Sequence, residues 1–151
     1  MPRPQRLFVS HAAADRRFLN KLTSVFNEYH VPFWYSRAHI RGAQQWHDEI
    51  GVALQKCDWF LLVVTPAAVR SKWVKRELLY ALQEDRYEKR IVPLVLKPCD
   101  FKRLSWTLAS FQLIDFSKDF EAGCRDLLRI WRLRYRGRLR GAKVYPSPPT
   151  K

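Results

Sequence analysis

Short apolar runs alternate with longer amphipathic segments along the whole chain. The apolar runs are "LFVS", "VPFWY", "DWFLLVVTP", "IVPLVLKP" and "FQLIDF", and a helix-length amphipathic segment follows each of them except "IVPLVLKP". Strand and helix in alternation are typical of a parallel sheet covered on both faces. The two central runs, Phe60 to Val64 and Ile91 to Leu96, are apolar on both alternating faces, as interior parallel strands are. The sequence therefore predicts one α/β domain with a five-stranded parallel sheet.

Composition and cysteine content narrow the class of protein. With 151 residues, 47% hydrophobic and 14% aromatic, the chain is long enough for one well-filled core. No apolar run reaches the roughly 18 residues that span a bilayer, and a strand-like run comes too early for a signal peptide. We expect a cytoplasmic protein without a membrane partner. Cys57, Cys99 and Cys124 are scattered and odd in number, which favours reduced thiols and predicts no metal site.

The formal net charge of +14 raises the question of a polyanionic partner. Much of the excess lies in "RLRYRGRLRGAKV", which holds no acid and is typical of a helix end that continues into a solvated tail. We therefore predict a globular domain over residues 6–135 and a flexible basic tail over residues 136–151. Because no base-reading motif accompanies the charge, nucleic acid is an unlikely partner, although phosphate contacts by the tail are compatible with any other function. The cations of this stretch are Arg132, Arg134, Arg136, Arg138, Arg140 and Lys143.

Ligands of parallel α/β sheets bind outside the carboxyl ends of the strands, which here selects the loops after Ser10, Tyr35 and Thr65. The glycines fit neither a dinucleotide-binding nor a Walker motif. Ser10 and His11 stand where a phosphoacceptor domain needs carboxylates. A triad of Ser10, His11 and Asp15 lacks the elbow motif of a hydrolase. These observations argue against a dehydrogenase, a P-loop ATPase, a phosphoacceptor domain and a serine hydrolase.

The segment "SKWVKRELLYAL" places an acid beside an indole. At helical spacing Trp73 and Glu77 lie one turn apart, at the edge of the buried face. No lysine or arginine stands three or four residues from Glu77, so the helix itself offers no ion-pair partner. Two interpretations remain open at this point, a functional glutamate or a glutamate paired by another segment.

The stretches "LFVSHAAAD", "FWYSRAHIRGAQQWHDEIGVALQKCDWFLLVVTPAAVRSKWVKREL" and "RIVPLVL" resemble a TIR (Toll/interleukin-1 receptor) domain of the compact kind common in bacteria, over residues 6–133. The resemblance implies a flavodoxin-like sheet, a BB loop at residues 36–45 and a WxxxE element on Trp73 and Glu77. In NAD-cleaving members that glutamate is catalytic, so the resemblance implies that Glu77 is the catalytic residue. NAD+ is then the substrate, and no cofactor is expected.

Other residues take candidate roles from the same resemblance. An acid that many relatives carry near Ser36 is missing, and the loop is basic instead, which suits a pyrophosphate as well as it suits a solvated turn. The tryptophans can contact a base or pyridinium, or they can serve the core. We expect substrate contacts from Ser10, His11, Trp34, Arg37 and Trp73, and self-association through the BB-loop residues Ile40, Arg41 and Gly42.

Two functions follow from the resemblance. The first is an NAD+ glycohydrolase or cyclase that yields nicotinamide and ADP-ribose or a cyclic ADP-ribose isomer. Stand-alone TIR proteins of anti-phage systems such as Thoeris signal in this way to a separate effector, and enzymatic relatives complete their site with a second copy. The second is a non-catalytic TIR–TIR adaptor, or a virulence-type TIR mimic. The sequence decides neither the product nor the trigger.

Overall fold

The computed structural model describes residues 2–35 and 43–137. Five parallel strands form one sheet in the order β2-β1-β3-β4-β5, which confirms the predicted five-stranded parallel sheet. Strand order reverses between β1 and β3, so their carboxyl ends form the switch point of the sheet. The strands are β1 (Leu7–Ser10), β2 (Phe33–Tyr35), β3 (Trp59–Val64), β4 (Ile91–Val95) and β5 (Ile114–Asp115).

Helices connect the strands and cover both faces. Thr65 accepts a hydrogen bond from the Ala68 amide at 3.1 Å, and Ser71 accepts one from the Val74 amide at 3.2 Å, so each side chain caps the start of a helix. Two helices therefore follow β3, and the first of them, of five residues, lies where the sequence predicted a loop after Thr65. The helices are α1 (Arg16–Glu28), α2 (Ala43–Lys56), α3 (Pro66–Arg70), α4 (Lys72–Gln83) and α5 (Phe120–Ile130). In the described part of the chain, no helix is long and apolar enough to cross a membrane.

The core has two layers, one on each side of the sheet. Alternate residues of β3 face opposite layers, and all six are 0–1% exposed, as the double-sided apolar run predicted. In one layer Leu61 packs with residues of α1 and α5, and in the other Phe60 packs with residues of α2 and α4. The two layers bury the sheet on both sides, so ligand access is left to its ends and to gaps between helices.

The last helix ends earlier than its sequence pattern suggested. Arg132 has a left-handed backbone with φ +58°, and the Leu133 amide donates to the Leu128 carbonyl at 3.0 Å, which closes α5. The chain then continues without regular structure, with Trp131, Leu133 and Tyr135 buried in the core and the arginines between them exposed.

Candidate functional site

Glu77 lies on the inner side of α4 and contacts the end of β1. The Ser10 hydroxyl donates to Glu77 Oε1 at 3.0 Å, and both residues are buried, with Glu77 only 4% exposed. Glu77 Oε2 has no hydrogen-bond partner among the described residues. A buried carboxyl oxygen without a partner costs free energy on the order of 1–3 kcal/mol, more if it is charged. One oxygen of this carboxyl group is therefore held in place, and the other is buried without a partner among the described residues.

The environment changes the acidity of Glu77. Burial raises its pKa from 4.5 to about 8, and the hydrogen bond from Ser10 lowers the pKa by a smaller amount. The causes of this shift include no cation. The carboxyl group is consequently mostly neutral at pH 7 in the empty site, and it becomes an anion more readily when positive charge arrives next to it.

A cavity of about 190 Å³ opens beside Glu77 between α2 and α4. Trp73 lines it one helical turn from Glu77, so the structure brings these two predicted site residues together. The Arg76 guanidinium lies 5.6 Å from the centre of the Trp73 ring, a cation–π contact. The sequence analysis did not select Arg76, although its three-residue spacing from Trp73 was a usable signal. The cavity thus combines an acid, an indole and a cation.

Helix α2 forms the opposite wall of the cavity. Ile50 and Leu54 supply apolar contacts there, and Gly51 stands between them. A Cβ atom at Gly51 would have nothing within 4 Å, so the missing side chain leaves open space on the cavity side of α2. Tyr80 completes the lining on α4. These walls are mostly apolar, which strengthens any electrostatic contact made to Glu77.

A second buried pair ties together two strand-end loops. Thr65, which follows β3, donates to Asp15 Oδ2 at 2.5 Å while its oxygen caps α3. Asp15 is 6% exposed and comes just after the β1 loop. The pair fixes the loop after Ser10 against the loop after β3, so it holds the carboxyl edge on which the site is built.

The remaining predicted residues lie elsewhere or outside the described part. His11 is buried, and its ring meets Tyr35 edge-on at 5.8 Å. Trp34 is half-buried, and its ring packs at a tilt against Phe8 with centroids 5.1 Å apart. It lines a separate cavity of about 480 Å³ with Asp48 and other residues of α2. The structure therefore does not bring Trp34 together with Glu77. Outside the described residues lie Arg37, Ile40, Arg41 and Gly42.

The described residues include no cluster of three or more His, Cys, Asp or Glu side chains that could hold a metal ion. All three cysteines are free thiols. Burial raises the pKa of the Cys57 thiol to about 12, so this thiol is not a ready nucleophile.

A five-stranded parallel sheet in this strand order, covered by helices on both faces, defines a flavodoxin-like α/β domain. The family model for the TIR domain matches residues 7–128, and the chain belongs to this family. Among solved structures, the fold is similar to the TIR domain of the Toll-related receptor TRR-2 from Hydra magnipapillata. That match has a TM-score of 0.66 and 17% identity, and it covers 84% of this chain and 98% of the other. No curated protein matches the sequence.

Proposed function

We propose that this TIR domain cleaves the bond between nicotinamide and ribose in NAD+. The family includes NAD-cleaving enzymes as well as adaptors that act through TIR–TIR contacts. The observation that carries the proposal is Glu77, a buried carboxyl group with one oxygen held by Ser10 and the other without a partner beside a cavity. A purely adaptor domain gains nothing from this arrangement, because burial of an acid without a cation is destabilising.

One carboxylate is enough for this reaction. When the C–N bond breaks, its electron pair goes to the nicotinamide nitrogen, which was cationic and leaves neutral, so no general acid is needed. Positive charge develops on the ribose as an oxocarbenium ion, and an anionic Glu77 stabilises it. Water then attacks and gives ADP-ribose with release of a proton, or a nucleophile of the same nucleotide attacks and gives a cyclic isomer.

The acidity of Glu77 suits a cationic substrate. Without a nearby cation, the Glu77 carboxyl group is mostly neutral at pH 7, since its pKa is about 8. Entry of the pyridinium ring places positive charge near the carboxyl group and lowers its pKa, so the proton is lost when the substrate is in place. Trp73 offers an aromatic surface for that ring, and Arg76 offers a cation for a phosphate.

The size of the cavity limits what one copy can enclose. A cavity of about 190 Å³ accommodates an aromatic ring and part of a sugar. Sites that enclose a whole small-molecule ligand measure roughly 300–1,000 Å³. The rest of the dinucleotide then lies over the carboxyl ends of β1 and β3. We propose that the basic BB loop with Arg37, and a second copy of the chain, cover this part. A cyclic product would serve as a signal to a separate effector, as in anti-phage defence.

An adaptor role is the second candidate, and one observation favours it. Trp106 lies on the short helical turn Trp106–Ser110 and is 80% exposed, which is unusual for a tryptophan in a protein without a partner. This exposure fits a contact surface. It does not compete with catalysis, because association and cleavage can belong to the same assembly.

The test is incubation of concentrated purified protein with NAD+, followed by mass spectrometry of the products. Glu77→Gln keeps the shape and removes the charge, so we expect at least about a hundredfold slower cleavage, or roughly 3 kcal/mol. Glu88→Gln, an exposed acid, is the matched control and should keep full activity. Equal turnover by a folded Glu77→Gln protein, or no nicotinamide release by the unmodified protein at any concentration, would remove the proposal.

A further inference from the structure

A groove of about 480 Å³ lies on the side of the sheet opposite Glu77, between α5 and the segment that follows it. Among the described residues, four arginines line the groove and no acid does. Leu133 and Tyr135 form its floor, and both are buried. The lining arginines are Arg125, Arg129, Arg132 and Arg134.

The backbone that carries these arginines is fixed to the core. Trp131 and Tyr135 anchor the segment, and the Arg136 amide donates to the Tyr29 hydroxyl at 2.7 Å. The Tyr29 and Tyr135 rings pack with centroids 5.7 Å apart. In residues 131–136, therefore, every second residue is an exposed arginine on a backbone that packs against the core. Ordered cations lose less entropy on binding than those of a flexible tail.

The exposed cations form two rows. Arg132, Arg134 and Arg136 alternate with buried residues, so they lie on the outer side of the segment that follows α5. Arg125 and Arg129 stand one helical turn apart on α5 and form a second row. Two rows of guanidinium groups across a groove match a chain of phosphates better than a single small anion.

Few acids neutralise the groove. The Arg129 guanidinium lies 3.8 Å from Asp126 in an exposed contact, which is worth little in water. Glu121 is near Gly137 at the far end of the segment. Within the described residues, the salt bridges include none for Arg125, Arg132, Arg134 or Arg136.

We propose that this groove binds the phosphate backbone of a nucleic-acid strand, independently of base sequence. The groove is concave, and the exposed large hydrophobic residues of the described chain, Val52, Leu79, Trp106 and Leu113, all lie outside residues 125–137. Such a surface can follow a linear polyanion, but it offers nothing to insert into a lipid bilayer. No exposed aromatic ring lies on the groove for base stacking, so the contacts are to phosphates.

The test measures binding of a fluorescent oligodeoxythymidine of about 20 nucleotides by anisotropy over a range of salt concentrations. Three full-length variants each lose three positive charges. The groove variant is Arg125→Gln, Arg129→Gln and Arg134→Gln, and the tail variant is Arg138→Gln, Arg140→Gln and Lys143→Gln. The distant variant is Lys75→Gln, Lys102→Gln and Arg103→Gln.

We expect the groove variant to lose at least about tenfold in affinity and about 2 in the slope of log K against log salt, and the distant variant to lose much less. The proposal is overturned if the tail variant no longer binds the oligonucleotide while the groove variant binds it normally. It is also overturned if all three variants lose affinity equally. The absence of binding at about 100 mM salt, or binding to phosphatidylserine vesicles without binding to the oligonucleotide, overturns it as well. NAD+ cleavage measured in parallel should be the same in all three variants, which separates this test from that of the proposed function.

Discussion

The Ser10 hydroxyl donates to Glu77 Oε1 across 3.0 Å and thereby joins the end of β1 to the second turn of α4. The contact has two effects. It orients the carboxyl group toward the cavity, and it favours the ionised form, because a donor stabilises an anionic acceptor. In the proposed reaction Ser10 would therefore act through Glu77, whereas the sequence suggested a direct substrate contact.

Ser10→Ala should raise the pKa of Glu77 further, since the hydrogen bond that lowers it is lost. In the unmodified protein, kcat/KM for NAD+ should rise with pH until the pH passes about 8, because the free enzyme must lose the Glu77 proton. In Ser10→Ala the rise should move to higher pH, and the rate at pH 7 should fall roughly tenfold. Full pH–rate profiles of both proteins check this. Ser24→Ala is the control, because Ser24 is a half-buried serine on α1 whose hydroxyl donates to the Asn20 carbonyl of the same helix. An unshifted profile in Ser10→Ala contradicts the role.

Glu77→Gln should make the fold more stable at alkaline pH. The carboxyl pKa is about 8 in the folded protein and near 4.5 when unfolded, so between these values the folded state binds more protons. Below pH 4.5 Glu77 is protonated in both states and does not lower the free energy of unfolding. As the pH rises from 4.5 to about 8, the free energy of unfolding falls by several kcal/mol, and at most by about 5. Glutamine does not titrate. Urea denaturation should show nearly equal unfolding free energies near pH 4.5 and a clear advantage for Glu77→Gln at pH 8; a constant difference would contradict burial of the acid.

Much of the fold was predictable because it depends on local pattern. The double-sided apolar runs identified β3 and β4, and the helical spacing placed Trp73 beside Glu77. The partner of Glu77 was not predictable, since Ser10 is 67 residues away and no periodicity links the two. The cavity that Trp34 lines was not predictable either, because it depends on how α2 packs on the sheet.

The cavity should respond to the size of the residue at position 51. Gly51→Ala adds a methyl group into open space and removes a helix-interior glycine, so it should stabilise α2 by about 0.5–1 kcal/mol and keep activity. Gly51→Leu should occupy a substantial part of the 190 Å³ cavity and raise the KM for NAD+ at least about tenfold. Steady-state kinetics and thermal melts of the two variants check this. Normal kinetics in Gly51→Leu would show that the substrate does not use this cavity.

Thr65→Val should destabilise the carboxyl edge. The change removes the cap of α3 and leaves the buried Asp15 carboxyl without its hydroxyl donor, for a combined cost of about 2–4 kcal/mol in unfolding free energy. Thr23→Val is the matched control, because Thr23 is equally buried and donates only to the Asn20 carbonyl of its own helix at 3.2 Å. Urea denaturation of both variants measures the difference, and equal losses would mean that the Asp15–Thr65 pair adds nothing.

The last prediction concerns assembly, and it follows from the small size of the cavity. A site of about 190 Å³ encloses part of a dinucleotide, and exclusion of water from the rest would strengthen the field of Glu77. A second copy can supply that cover through the BB loop, where Ile40 is an apolar residue between basic ones. Residues 36–42 of this loop lie outside the described residues, and its predicted last residues, 43–45, belong to α2. Full burial of such a side chain contributes on the order of 1.5–3 kcal/mol.

We therefore expect NAD+ cleavage per molecule to rise with protein concentration, and Ile40→Asp to weaken both association and cleavage while the thermal melt stays unchanged. Ile40→Leu keeps the apolar surface and should behave like the unmodified protein. Analytical ultracentrifugation and nicotinamide release, measured across the same concentration series, follow the two properties together. If activity per molecule is flat from nanomolar to high micromolar protein, the site works in a single copy, and the BB loop then has no part in completing it.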